Sequence, residues 1–356
     1  MLPHVVVTRF GTGVYRQSWY DSAIGLFAAV TLPSLRAQRF ERFIWLIVVD
    51  RAMPEAARLR LEALLDDDRF HLVPIDLEHL PTVRYGSAQH IWDCCLNYLF
   101  ARRLVTNPFD YIATAMIDAD DAWHIDTLRI VDDRFCAALP EVLRVEERTP
   151  GFLKHTSGMV LNAPRGLQWY AQADIVVPSE LRFQSMSVFV LARLSSGIAS
   201  HSSRHRAWDN YSRVLDFPVE DIFPDRPMWV YARHDRAEQP WSTAGSVSDL
   251  AAAEELRGNF GIDFEKVASW RAEREGEGVP NDGRPGAYPP YPLGVQIDTY
   301  FRITALNQQI SALSERLRDA IDVAEITGIE VLLRQQRDLR EQLVTTLTDQ
   351  GLNFFR

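Results

Sequence analysis

The chain lacks the cysteines for a disulfide framework: its 356 residues contain three, Cys94, Cys95 and Cys136. That odd number, with no metal-ligand spacing, reads as buried thiols in a reducing compartment. No apolar run approaches the ~18 residues that a membrane-spanning helix needs, and the first residues pattern as a strand rather than a signal peptide. These absences point to a cytoplasmic protein without a transmembrane segment, and they leave room for peripheral contact with a membrane. Excess positive charge is missing too, since 38 Lys and Arg face 48 Asp and Glu for a net charge of −10. A phosphate-tracking protein needs a basic stripe, so nucleic acid is disfavoured as a partner. Lysine occurs only at Lys154 and Lys266, a scarcity that genome composition explains as readily as phosphate binding does. Gly11 and Gly13 have no third glycine and no helix start after them, so they make no dinucleotide fingerprint, which weakens a dehydrogenase reading.

What is present fits a soluble enzyme: 47% hydrophobic and 24% charged residues suffice for one large or two modest domains. The most informative stretch is Tyr111-Ile-Ala-Thr-Ala-Met-Ile-Asp-Ala-Asp-Asp-Ala-Trp123, where a largely apolar run meets three carboxylates within four positions. Such a run suits a strand covered on both faces, as in a parallel sheet flanked by helices. If the segment stays extended, Asp118 and Asp120 point to the same side at the carboxyl edge of the sheet, where α/β proteins bind ligands. Mg²⁺ or Mn²⁺ suits that chemistry, taking one or two carboxylates plus the oxygens of a diphosphate. The plainer alternative is an acidic helix N-terminus, with Asp120 or Asp121 capping a helix whose apolar face carries Ile125, Leu128 and Val131.

Strands and helices alternate in βαβαβαβ order along the first 120 or so residues. Residues 4–10 pattern as a strand and 22–38 as a helix that Pro33 bends or shortens. A strand at 43–49, a Pro54-initiated helix to about Leu65 and a strand at 70–75 follow. Ser87 can then cap a helix through Arg103. Further on, strands are expected at 158–162, 187–193 and 228–233, and a short helix at 205–214. Residues 271–295 are rich in Pro and Gly and read as a linker or extended loop. Beyond them, 298–349 carries apolar residues at helical spacing, and Thr327-Gly328 suggests the turn of a hairpin. That hairpin packs on the catalytic domain or forms an oligomerisation or partner-binding coiled coil, which would make a homo-oligomer.

Four segments, His4-Val-Val-Val-Thr-Arg-Phe10, Leu32-Pro-Ser-Leu-Arg-Ala-Gln38, Phe43-Ile-Trp-Leu-Ile-Val-Val-Asp50 and Ile117-Asp-Ala-Asp-Asp121, together resemble the GT-A glycosyltransferases. The DxD motif of those enzymes stands at the end of a central strand. The chain is similar above all to a bacterial group labelled rhamnosyltransferases, a label that does not establish the sugar. The resemblance spans about the first 130 residues and continues more weakly to about 240. It implies an α/β GT-A fold, Rossmann-like, over residues 1–270, with a nucleotide-binding half at 1–125 and an acceptor half at 126–270. A 271–297 linker and a helical region at 298–356 would follow. It also implies metal-dependent transfer from a nucleoside-diphosphate sugar to a glycan or glycoconjugate, such as a growing surface polysaccharide. Asp118 and Asp120 are then the metal ligands, with Asp121 behind them or capping the next helix. His234 resembles a further ligand or phosphate contact, with His201 and His205 as rivals. Thr8 and Arg9 fall where the family holds base and ribose. Asp50 could accept a hydrogen bond from a base imide or a ribose hydroxyl, and Arg84 could reach a phosphate with its forked donors.

An inverting transferase needs a carboxylate to take the acceptor's proton. Asp209, in Ser203-Arg-His-Arg-Ala-Trp-Asp-Asn210, is the candidate, with Trp208 as a stacking platform for a sugar ring. Many GT-A enzymes carry Glu-Asp here where this chain has Trp-Asp, so Glu180 remains a second candidate and a retaining mechanism stays open. Two other readings stand beside these. One is an inactive GT-A-like carbohydrate-binding or scaffold protein, against which the intact acidic triplet counts. The other is a different Mg²⁺-dependent nucleotide or phosphoryl enzyme; an aspartyl phosphatase would need a hydroxyl residue where Ala122 stands.

Overall fold

The computed structural model describes residues 2–12, 14, 17–76, 88–148, 157–171, 175–196, 198–200, 217–234, 252–275, 309–310, 313–314, 316–318 and 323–349. The first half has the expected alternation. Strand β1 (His4–Phe10) leads to helices α1 (Gln17–Ala29) and α2 (Thr31–Arg36), then β2 (Phe43–Asp50), α3 (Glu55–Leu64), β3 (Phe70–Ile75), α4 (Ala88–Ala101) and β4 (Tyr111–Met116). The helix expected over 22–38 is two. Val30 departs from helical geometry between them, with φ −118° and ψ −71°. Pro33 has no N–H for the carbonyl of Ala29, which instead accepts from Asp263 N–H at 2.8 Å.

After β4 come a two-residue strand β5 (Ala122–Trp123), helix α5 (Thr127–Arg148), and strands β6 (Gly158–Asn162), β7 (Arg165–Tyr170), β8 (Ile175–Glu180), β9 (Val188–Arg193), β10 (Val219–Asp221) and β11 (Trp229–Arg233). Seven strands form one mixed, mostly parallel sheet in the order β10-β6-β9-β4-β1-β2-β3. β9 is antiparallel to both β4 and β6, while β4, β1, β2 and β3 run parallel. A four-stranded sheet, β5-β11-β7-β8, stands beside it. Sequence patterning accounts for β6, β9 and β11 but not for the β7–β8 pair.

The near-continuous apolar strands are explained by cover on both faces. Val6, Phe10, Trp45, Ile47 and Val49 face one core with α1, α2, α3 and α5, whereas Val5, Val7, Leu46 and Val48 face α4 through Ile91, Trp92, Cys95 and Leu99. A further core joins Trp169, Val176 and Val230 to α1 and to two helices, α6 (Ala252–Phe260) and α7 (Phe264–Glu275), which periodicity does not bring out. The start of the expected 271–295 loop is thus helical to Glu275; residues 276–295 lie outside the described ones.

The chain divides into two compact units, Met1–Ala232 with Ala244–Gly276, and Arg233–Thr243 with Glu277–Arg356. In the second, helix α8 (Val323–Asp349) runs unbroken through Thr327 and Gly328, which corrects the expected turn there. A glycine in mid-helix costs about 1 kcal/mol relative to alanine, and a helix of 27 residues absorbs that. No helix among the described residues is long and apolar enough to cross a membrane.

Candidate functional site

β4 ends at Met116, and Ile117 N–H still reaches Val7 C=O at 3.1 Å, so the acidic residues emerge at the carboxyl edge beside β1. They are not extended. Asp121 N–H closes a turn onto Asp118 C=O at 3.3 Å, so the argument from strand alternation fails for Asp118 and Asp120, although both remain partly exposed at that edge. Thr31 Oγ1 also donates to Asp118 C=O at 3.5 Å. The Asp118 carboxylate has one partner among the described residues, Ser185 Oγ, which donates to Oδ2 at 2.8 Å. Asp121 is fully buried, and its Oδ1 accepts Ala232 N–H at 3.0 Å. Instead of capping α5, which begins at Thr127, it ties the acidic turn to β11.

Helix α2 supports this turn from below. Ser34 Oγ accepts Trp123 N–H at 2.8 Å and lies 3.0 Å from Trp123 C=O. Gln38 Nε2 donates to His124 C=O at 2.9 Å, while its Oε1 accepts Leu128 N–H at 3.2 Å, a donor in the first turn of α5 that has no acceptor within the helix. The Leu32–Gln38 segment thus clamps the chain that follows the acidic residues. A motif search for carboxylates has no signal for this, because a serine and a glutamine at helix spacing look like ordinary surface residues.

At the ends of β1 and β2 the expected nucleotide contacts fare differently. Thr8 is fully buried, and its Oγ1 accepts Trp45 Nε1–H at 2.9 Å. Asp50 is 1% exposed, with Oδ1 accepting Ala52 N–H at 2.9 Å in a local turn. Thr8 Oγ1 and Asp50 Oδ1 thus each accept a bond from the protein at the strand ends. Arg9 is partly buried, and its Nε is enclosed with no hydrogen-bond partner among the described residues. It continues the Val5, Val7 face and pairs in register with Val48, so Arg9 shares a face with Asp50. The loop after β1 turns at Gly11, whose φ of +61° favours glycine; a Cβ at this position would also lie only 2.6 Å from the Tyr20 ring. Tyr20 OH reaches the carbonyls of Gly11 and Val14 at 2.8 and 2.9 Å.

Arg84, His201, His205, Trp208 and Asp209 lie outside the described residues. Glu180 ends β8, is exposed, and stands 3.9 Å from Arg165 Nε. His234 directly follows β11, is buried, and belongs to the second unit. Among the described residues no group of three His, Cys, Asp or Glu side chains is placed to hold a metal ion. Two carboxylates at one turn still suit Mg²⁺ or Mn²⁺, which commonly complete their shells with phosphate oxygens and water. An open cleft of about 640 Å³ lined by Arg36, Glu41, Asp66, Asp67, Asp68 and Arg69 lies at the amino edge of β2 and β3, the wrong edge for a ligand of an open α/β sheet.

The site is thus an acidic turn at the carboxyl edge of a mostly parallel α/β sheet. The family model described as "Putative rhamnosyl transferase" matches residues 9–239, and the chain belongs to that family of glycosyltransferases. No curated protein matches the chain. Three solved structures to which it is similar are TarS of S. aureus (11% identity, TM-score 0.35, 96% of this chain and 54% of that one), mouse xyloside xylosyltransferase 1 in its apo form (14%, 0.27, 60% and 76%) and the glycosyltransferase GlyE of Streptococcus pneumoniae TIGR4 (10%, 0.33, 77% and 64%). The chain spans about half the length of the first of these.

Proposed function

We propose that the protein transfers a sugar from a nucleoside diphosphate to a hydroxyl of a glycan or glycoconjugate, with Mg²⁺ or Mn²⁺ held by Asp118 and Asp120. The observation that carries this reading is the placement of two partly exposed carboxylates at the carboxyl end of β4, beside β1, in a chain of this family. When bound, the cation would offset the negative charge that builds on the leaving diphosphate. Arg9, whose enclosed Nε near the end of β1 has no hydrogen-bond partner among the described residues, is suited to bind an oxygen of the donor. Thr8, Asp50 and Tyr20 keep the loops around that donor in place.

In the transfer, an acceptor oxygen forms a bond to the anomeric carbon as the carbon–oxygen bond to the diphosphate breaks, its electron pair leaving with the phosphate. Attack on the face opposite the leaving group inverts the centre. Asp209 is the carboxylate proposed to take the acceptor's proton, and Glu180 is its rival. A rhamnosyl donor follows from the family description alone. The cytoplasm is the proposed site of action, since all three cysteines are free thiols. The test is release of nucleoside diphosphate from a panel of nucleotide sugars with Mn²⁺. The parent is expected to turn over at least one donor, whereas Asp118→Ala and Asp120→Ala turn over none. Equal rates for parent and both variants would refute the assignment.

A further inference from the structure

We infer that Ser185 is a positioning residue for Asp118, holding one carboxylate oxygen so that the other is left for the cation. The inference rests on Asp118 being a metal ligand as proposed above. The backbone of Asp118 is fixed by the donors Thr31 Oγ1 and Asp121 N–H on its carbonyl. Its side chain lies beyond the end of β4, where no strand pairing restrains it. The single bond that restrains it among the described residues is the one from Ser185 Oγ to Oδ2, at 2.8 Å, and Oδ1 accepts none. A carboxylate held in this way offers one oxygen in a set direction instead of two that rotate freely, so less freedom is lost when a cation binds.

Ser185 is itself held from several sides. It opens a one-turn 3-10 helix, Ser185–Ser187, and is nearly buried. Trp123 Nε1 donates to the Met186 carbonyl at 2.8 Å, and Ala163 N–H to that of Ser187 at 2.8 Å. Asn162 Oδ1 accepts both Phe183 N–H at 2.9 Å and Ser187 Oγ at 3.1 Å, while Asn162 Nδ2 donates to Asp221 Oδ1 at 2.8 Å. Phe183 adopts φ +58°, a conformation that a bulky residue keeps only where its surroundings impose it. The segment before Ser185 therefore carries backbone strain and is held by the bond from Phe183 N–H to Asn162, while Trp123 holds Met186 on the other side of Ser185. The result is a hydroxyl presented to Asp118 from a rigid support.

The test is a Mn²⁺ titration followed by electron paramagnetic resonance, with the ion alone and with UDP, GDP or dTDP, on the full chain and its variants. Ser185→Ala is expected to weaken Mn²⁺ binding about 10- to 100-fold, the usual effect of losing a partner behind a ligand. Ser185→Thr, which keeps the hydroxyl, restores most of that affinity. In turnover, Ser185→Ala raises the Mn²⁺ concentration for half-activation and leaves kcat at saturating Mn²⁺ near the parent's, a split that a purely structural defect would not give. If Ser185→Ala does not fold, Ser185→Cys, of the same shape with a weaker donor, is measured instead and is expected to weaken Mn²⁺ in the same direction. A foldable Ser185 variant that binds Mn²⁺ like the parent, while Asp118→Asn has lost it, overturns the inference and leaves Asp118 as a ligand. If Asp118→Asn binds Mn²⁺ like the parent, the ligand assignment fails and takes the inference with it.

Discussion

Single residues here divide between those buried to hold the edge of the sheet and those that reach solvent at it. Thr8, Asp50 and Asp121 are buried, each with a side-chain oxygen that accepts a bond from the protein itself, whereas Asp118, Asp120 and Arg9 reach the edge partly exposed. The distinction follows from burial: a carboxylate or hydroxyl withdrawn from water needs an internal partner. The proposed base must likewise meet a substrate rather than the core. Asp209→Asn keeps size and removes the proton acceptor, so donor and Mn²⁺ binding should persist while acceptor-dependent transfer falls at least ~10²-fold. Initial rates with acceptor, set beside donor binding by calorimetry, check this. Transfer at the parental rate would make Asp209 structural and move the role to Glu180. Donor hydrolysis is no substitute in this assay, because water can be activated without that base.

At the level of elements, α2 and the residues just after it hold the chain that follows the acidic turn, through Ser34 and Gln38. Ser34→Ala leaves the buried Trp123 N–H without its acceptor, at a cost of about 1–3 kcal/mol, readable as a lower urea midpoint. Because β5 follows the turn directly, the same variant should also weaken Mn²⁺ binding, and unchanged values of both would remove α2 from the site. Helix α8 offers a test of the opposite sign. A Cβ at Gly328 would meet nothing within 4 Å, so Gly328→Ala should raise the stability of that helix by about 0.5–1 kcal/mol, seen in its thermal unfolding by circular dichroism. A loss of helix would mean that the chain does bend there. Residues such as Val5 to Val7 and Phe43 to Val49 make the central strands legible, since strands covered on both faces are written as apolar runs. The β7–β8 pair is not legible, because Arg165-Gly-Leu-Gln-Trp-Tyr170 mixes buried polar and apolar residues without alternation. Gln168 is buried with its amide donating to Ser179 Oγ at 2.9 Å on the paired strand, a partner that no local pattern reveals. Asp118 and Asp120 can be read from their clustering, but Ser185 cannot, lying 67 positions away in sequence.

For the whole molecule, burial sets the response to acid. The imidazoles of His4, His71 and His124 are all held below their ordinary value, chiefly because burial penalises the charged form; Asp132 beside His4 opposes the effect without reversing it. A histidine whose folded pKa is depressed lets the unfolded chain take up a proton first, so stability is lost as pH falls below about 6.5 toward the folded values. The urea midpoint should therefore drop between pH 7 and pH 5.5, and His4→Gln should lessen that drop. A midpoint independent of pH across this window would contradict the burial account. The family match ends at residue 239, and the unit containing α8 lies largely beyond it, so the proposed donor site at Asp118 and Asp120 belongs to the first unit. The most direct test of that assignment is calorimetry of UDP, GDP and dTDP with the full chain, with and without Mn²⁺, repeated on Asp120→Ala. At least one nucleotide should bind only when Mn²⁺ is present, and Asp120→Ala should lose that binding while still unfolding cooperatively. Binding that is indifferent to both the metal and Asp120, or no binding of any of the three with Mn²⁺, would contradict it.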